Sequence, residues 1–328
     1  MKVAITGAGS LLMGTIARSL IERGDQVVCI QRRQVEIADC QQELVDIRDA
    51  HGVQRATAGC DAVIHGAARV GIVGSYEDFR SVNVDGTNNV LAAAHVNNIS
   101  RMVFVSTPSV SHTGTSLIGA LADPAVTGRS QSHYADTKAW AEKSVLASNS
   151  DVLSTVALRP HLVWGPGDTQ LVGRIVERAS QGKLVMVGSG NALVDSTYID
   201  NAADAHVSAL TALHVGAACA GKAYVIANGE PRTVNELMRG MCSAAGVSFS
   251  PKHIPFAVAT RLGTVVERIW PLIKTGEPPL TRFVAEQLGT AHWFDPRPAH
   301  DDLAWTPSVS IDEGFQRLHE WFRENKRA

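Results

Sequence analysis

The first 24 residues constrain this chain more than any other stretch. Met1-Lys2-Val3-Ala4-Ile5-Thr6 is a short β-prone run that ends in Gly7-Ala8-Gly9-Ser10-Leu11-Leu12-Met13-Gly14. Thr15 to Gly24 comes next, with apolar residues at helical spacing and a terminal glycine. This order reads as strand, glycine turn, helix. Glycines let a backbone turn tightly and approach a pyrophosphate, while the free amides and positive end of the next helix attract its charge. Gly7, Gly9, Ser10, Leu11 and Leu12 are therefore candidate phosphate contacts. A tight turn in any α/β protein fits the same residues, so the turn gains meaning only from residues further along the chain.

Strand-like and helix-like runs keep alternating through the first half, the pattern of a doubly wound parallel sheet. Gln26–Ile30 reads as the second strand, Leu44-Val45 as a short third and Ala62–His65 as the fourth. The last of these runs into Gly66-Ala67-Ala68, small residues that let a cofactor lie against the backbone, which makes Ala67 a candidate contact. A long helical stretch from about Tyr76 to Asn97 precedes the strand Met102–Val105, and Thr155–Leu158 forms another strand. Beyond Arg159-Pro160 the alternation lapses, and prolines punctuate a loop-rich C-terminal third. The expected fold is α/β: a doubly wound parallel sheet of Rossmann type in residues 1–165, to which 192–228 return, and a smaller C-terminal substrate-binding module mainly in 166–328.

At the end of a second strand such folds often place a carboxylate against the adenosine ribose. Here Gln31 is followed by Arg32 and Arg33. Two guanidiniums without a carboxylate suit a phosphomonoester on the ribose, which predicts NADP(H) over NAD(H); a solvated basic turn is the alternative. Asp46-Ile47, after the third strand, falls where an adenine ring can meet a carboxylate and a backbone amide, although a polar loop fits that spacing equally.

Chemistry enters with His133-Tyr134-Ala135-Asp136-Thr137-Lys138 and with Ser106-Thr107, which closes an apolar run upstream. Residues four apart share a helix face, so Tyr134 and Lys138 are expected to meet. A phenol has a reference pKa of about 10, and an ammonium beside it favours the phenolate, giving proton-transfer machinery for a ketone or an alcohol. His133 and His161 flank this region and are read as packing or hydrogen-bonding residues rather than catalysts.

A net charge of −2 over 328 residues leaves no broad basic footprint for nucleic acid or anionic lipid. Five widely spaced cysteines without a CxxC pair suggest reduced thiols and a cytoplasmic location, with no metal site. Met1-Lys2 runs directly into a strand, so no signal peptide is expected. The apolar-rich stretch from Ile254 to Pro271 is interrupted by Arg261, Glu267 and Arg268, so no membrane span is expected. An amphipathic helix packed on its own protein explains it, with interfacial binding or a cover over a greasy substrate as alternatives.

Taken together, these residues resemble the extended short-chain dehydrogenase/reductase family over essentially the whole chain. The likeness is greatest to 3β-hydroxysteroid dehydrogenase-like members, especially the 2-alkyl-3-oxoalkanoate reductases of olefin biosynthesis. It is carried by Gly74-Ser75-Tyr76, Ser106 to Val110, Tyr134 to Lys138, Leu158-Arg159-Pro160, Trp164 to Asp168, Tyr198 to Asn201, Asn228 to Pro231 and Pro278 to Phe283. The resemblance implies Tyr134 as acid/base, Lys138 as the holder of the nicotinamide ribose that lowers the tyrosine pKa, and Thr107 as the hydroxyl for the substrate carbonyl, with Ser106 as substitute. It further implies that Asn83 supports the active-site helix, that Pro160 flanks the nicotinamide, and that Asp46 and Ile47 contact adenine. One departure concerns the usual Thr-Gly-x-x-Gly-x-x-Gly pattern: Ser10 and Met13 stand where glycines are expected, which should reshape phosphate binding.

The expected activity is NADPH-dependent reduction of a small lipid-like ketone, a 2-alkyl-3-oxoalkanoate. Alternatives on the same scaffold are a 3β-hydroxysteroid dehydrogenase or a sugar-nucleotide epimerase; the apolar segment Phe256 to Ile273 favours a lipid-like ligand. A noncatalytic NADP-sensing protein would need neither Tyr134, Lys138 nor Thr107. A homodimer is the candidate assembly.

Overall fold

The computed structural model describes residues 1–325 except 72, 112–114, 129–131 and 274–279, and excludes the side chains of 268 and 271–273. Pro278 and Pro279, part of the family-like segments, lie outside the described residues.

Seven parallel strands form the central sheet, in the order Ala223–Ile226, Ser154–Pro160, Arg101–Val105, Ala62–His65, Lys2–Thr6, Gln26–Gln31 and Cys40–Leu44. The chain starts in the middle, winds out to Cys40–Leu44, then recrosses to Ala62–His65. This is the expected doubly wound α/β fold. The order reverses between Lys2–Thr6 and Ala62–His65, and the carboxyl ends of those strands diverge into the crevice where such sheets bind ligands.

Both faces of the sheet are covered, which explains why its strands read as continuous apolar runs rather than as alternation. Val3 and Ile5 face the helices Leu11–Glu22 and Ile199–Ala212, whereas Ala4 and Val28 face Ala50–Ala56, Gly86–Val96 and His133–Ala147. Cys40–Leu44 differs because it is an edge strand of partly exposed, mostly polar residues; of the expected Leu44-Val45 it includes only Leu44.

The stretch read as one helix from Tyr76 to Asn97 is three pieces: Tyr76–Arg80, a π turn over Ser81–Asp85, and Gly86–Val96. A third core, around Trp164, Met186, Leu237, Met241, Ile311 and Leu318, belongs to the C-terminal residues. Leu117–Ala120, which carries no clear strand signal of its own, pairs with His292–Phe294 in a second sheet and joins distant parts of the chain.

Phe256–Ile273 is a helix whose buried side includes Ala259, packed near Val187 and Ala285. Gly263 lies so close to the Thr281-Arg282 backbone that a Cβ there would collide with it. Phe256, Val258, Leu262, Val265 and Ile269 stay exposed. Among the described residues, no helix is long and apolar enough to cross a membrane.

Candidate active site

The glycine turn forms the floor of a cleft of about 570 Å³ at the crevice. Gly7 has φ +79°, and a Cβ on it would stand 2.8 Å from the Ala67 Cα, so glycine alone fits on both counts. Ser10 caps the following helix by accepting the Met13 amide at 3.3 Å. Met13 fills the space beside Gly66, where an added Cβ would strike the thioether. The expected reshaping therefore takes a definite form: Ser10 is a helix cap, and Gly66 on the neighbouring strand's end vacates the room that Met13 occupies.

The cleft runs from Arg32, Arg33, Asp46 and Ile47 past Gly7, Gly9, Ser10 and Ala67 to Ser106, Tyr134 and Lys138. The remaining predicted contacts sit around it. Leu11 borders an adjoining groove with Gly167 and Asp168, the Leu12 side chain packs into the cores, and Pro160 ends its strand. Asp46 is paired with Arg48 at 2.7 Å, which, with the Arg32 charge, holds its carboxyl below the usual range.

Gln31 is buried at the end of its strand. Its Nε2 donates to Gln42 Oε1, whose own amide is fixed by the Val35 backbone through Val35 N at 3.0 Å and Val35 O at 2.8 Å. Gln31 Oε1 is consequently turned away from Gln42, buried and without a hydrogen-bond partner among the described residues. Gln31, Arg32 and Arg33 line the cleft whose floor is a turn only glycine can make, an arrangement that fits a dinucleotide.

At the other end, Ser132 caps the helix His133–Ala147 and so sets where Tyr134 and Lys138 leave it. Burial raises the Tyr134 pKa to about 12, and a hydrogen bond with Thr107 offsets part of that rise. Burial also lowers Lys138 to about 7, against the raising influence of Glu142. Lys138 Nζ donates to the Val105 carbonyl at 2.6 Å and lies 3.9 Å over the Phe104 ring. The expectation that Lys138 depresses the Tyr134 pKa is thus not met in this geometry: desolvation dominates both groups, and the ammonium is directed to a backbone carbonyl.

Of the two hydroxyls, Thr107 meets the tyrosine. Ser106 instead donates to Glu142 at 2.5 Å, and Glu142 is held by Arg159 through Nε at 2.9 Å and Nη2 at 2.5 Å. Neither Glu142 nor Arg159 is an expected site residue from sequence, although Glu142 lies one turn beyond Lys138 on the same helix face. His133 stacks edge-on to Tyr76, consistent with a packing role.

A buried relay joins the cofactor floor to the catalytic helix. Thr6 Oγ1 accepts the Gly66 and Ala67 amides at 3.2 and 3.1 Å, so its proton goes to His65 Nδ1 at 2.6 Å. His65 Nε2 must then donate to Thr87 at 2.9 Å, and Thr87 donates to the Asn83 carbonyl at 2.6 Å. Asn83, in the π turn, donates to Thr137 at 3.0 Å, which donates to the His133 carbonyl at 2.7 Å. Burial drops the His65 pKa to about 3, so the ring stays neutral and the direction of the chain is fixed.

Residues 4–258 match the 3-beta hydroxysteroid dehydrogenase/isomerase family. A 2-alkyl-3-oxoalkanoate reductase of Stenotrophomonas maltophilia is 49% identical over 324 residues, covering 97% of this chain and 98% of its own. One of Shewanella oneidensis is 39% identical, covering 96% and 84%. Among solved structures, a UDP-glucose 4-epimerase of Thermus thermophilus in complex with NAD matches with TM-score 0.71 at 24% identity, over 98% of this chain and 99% of its own. At that identity it supports the fold alone.

Proposed function

The chain belongs to the 3-beta hydroxysteroid dehydrogenase/isomerase family, within the short-chain dehydrogenases/reductases, and from that membership we propose an NADPH-dependent reductase of a lipid-like ketone. The substrate class is a 2-alkyl-3-oxoalkanoate, reduced to the 2-alkyl-3-hydroxyalkanoate, in keeping with the names of the two relatives. The observation that carries the reading is Tyr134, its pKa influenced by the Thr107 hydroxyl, lining with Lys138 the end of a cleft fit for a nicotinamide dinucleotide. We assign residues 1–165 and the returning 192–228 to the cofactor and most of 166–328 to the substrate, in a cytoplasmic enzyme.

The dinucleotide, when bound, supplies the hydride. Thr107 orients the carbonyl oxygen toward Tyr134, and Tyr134 gives that oxygen a proton as negative charge develops on it. At a pKa of about 12 the phenol is protonated throughout the physiological range, as an acid must be. Lys138 supplies positive charge to the same corner. Its cation is fully present below about pH 7 and lost above, so kcat/KM for reduction should fall about tenfold per pH unit past that point. Lys138→Arg, which stays charged, should abolish that limb in a pH–rate profile; a limb unchanged by the substitution would assign it to another group.

Arg32 and Arg33 favour a 2′-phosphate on the ribose. A charge-assisted bond of about 1.5–3 kcal/mol predicts that Arg32→Ala raises the KM for NADPH roughly 10- to 100-fold and leaves that for NADH nearly unchanged. Equal constants for both cofactors in both proteins would refute the preference.

A further inference from the structure

The C-terminal residues line a second, partly open cavity, of about 80 Å³, between the helices Val172–Ser180, Val234–Ala244 and Arg282–Gly289. Leu162, Ile175, Leu237, Met238, Met241 and Leu288 are prominent in its wall. Its polar contributors are Ser196, whose hydroxyl is taken up by Trp164 Nε1 at 3.0 Å, and Gln287. A pocket lined this way suits hydrocarbon, and it lacks the charged and convergent polar partners that a sugar or a phosphate needs. An apolar group that enters it removes apolar wall from water, which favours binding.

Its location relates it to the chemistry. The strand Ser154–Pro160 ends beside Ser106, whose amide donates to the Leu158 carbonyl at 2.6 Å. Two residues beyond Pro160, a span of at most about 7 Å, Leu162 adopts φ +42°, a left-handed conformation rare for leucine, and its residue borders the cavity. The same strand end is tied to the opposite wall through rings. His292 Nε2 donates to the Gln287 carbonyl at 2.6 Å, which leaves its Nδ1 to accept from His161 Nε2 at 2.8 Å. The helix Phe256–Ile273, expected to favour a greasy ligand, contributes none of the lining.

We infer that this cavity receives one alkyl branch of the ketone, an inference that rests on the reductase reading. At roughly 30 Å³ per methylene, a figure close to one water's share of liquid volume, it holds two to three carbons as it stands. Met238 and Met241 are unbranched and adaptable, so their rotation extends the space for longer chains.

The test is a series of 2-alkyl-3-oxo acids with branches from methyl to hexyl, assayed by NADPH consumption and titrated calorimetrically against the enzyme loaded with oxidised cofactor. Each methylene entering the cavity should raise kcat/KM and affinity about fourfold over the first two or three carbons. Ile175→Trp and Leu237→Phe, which fill the hole by different routes, should flatten that rise in any variant whose melting transition is retained. A wild-type series without slope, or a slope that persists in a folded filled variant, overturns the inference. Calorimetric slope without turnover of any member sinks the reductase reading while leaving the cavity assigned to hydrocarbon.

Discussion

Tyr134→Phe should fold normally, bind dinucleotide as the wild type does, and lose roughly 10³-fold in kcat, within the range expected for a positioned general acid. The substitution removes one oxygen from a half-buried residue. What it takes from the folded state is at most one hydroxyl hydrogen bond, worth about 1 kcal/mol, so the melting temperature should move little. The catalytic loss, about 4 kcal/mol of barrier, greatly exceeds that, because without the phenol the developing alkoxide has no proton donor of suitable position. Neither Ser106 nor Lys138 can take over: the first is bonded to Glu142 and the second to the Val105 carbonyl. Stopped-flow measurement of NADPH oxidation, beside cofactor titration by fluorescence quenching, separates the two effects. Retained turnover at normal cofactor affinity would remove Tyr134 from the role of acid.

The parts of this architecture that are legible in the sequence are those written locally. Strand, glycine turn and helix occupy consecutive residues, and the four-residue spacing of Tyr134 and Lys138 states a shared helix face whatever surrounds it. The parts that are not legible depend on which segments approach from afar. Cys40–Leu44 reads as polar because its partners lie on one edge only, and Leu117–Ala120 becomes a strand through His292–Phe294, some 175 residues on. Burial raises the Tyr134 pKa where the four-residue spacing to Lys138 alone suggests a lowering, so an electrostatic argument from spacing misses the sign. The displaced glycines look like a defect until Gly66, at the end of another strand, is seen to hold the space for Met13. The apolar cavity draws its wall from helices widely separated in sequence, whereas the conspicuous stretch from Phe256 presents much of its apolar side outward.

The second large effect is expected at Glu142, which touches no reacting atom. Its carboxylate is 1% exposed and takes Nε and Nη2 of Arg159, itself 1% exposed, together with the Ser106 hydroxyl. Glu142→Gln keeps the shape but leaves a guanidinium buried with only Ser111 and the Asp123 carbonyl as further partners among the described residues. Stripping one member from a buried ion pair costs about 3–5 kcal/mol, read as a loss of unfolding free energy in denaturant titration. Arg159→Met alone should also be costly, because it strips the buried carboxylate of its ion-pair partner and leaves it the Ser106 hydroxyl and the nearby Lys138 charge. Combining the two leaves no orphaned charge, so the double variant should be more stable than the sum of the singles predicts by at least about 2 kcal/mol. Additive losses would mean that the pair contributes only packing. The same triad fixes Ser106 and hence the neighbouring backbone of Thr107, so the folded fraction of Glu142→Gln should also show a lowered kcat with KM less affected. That division is expected if Glu142 positions the hydroxyl that aims the carbonyl, and a change in KM alone would argue against it.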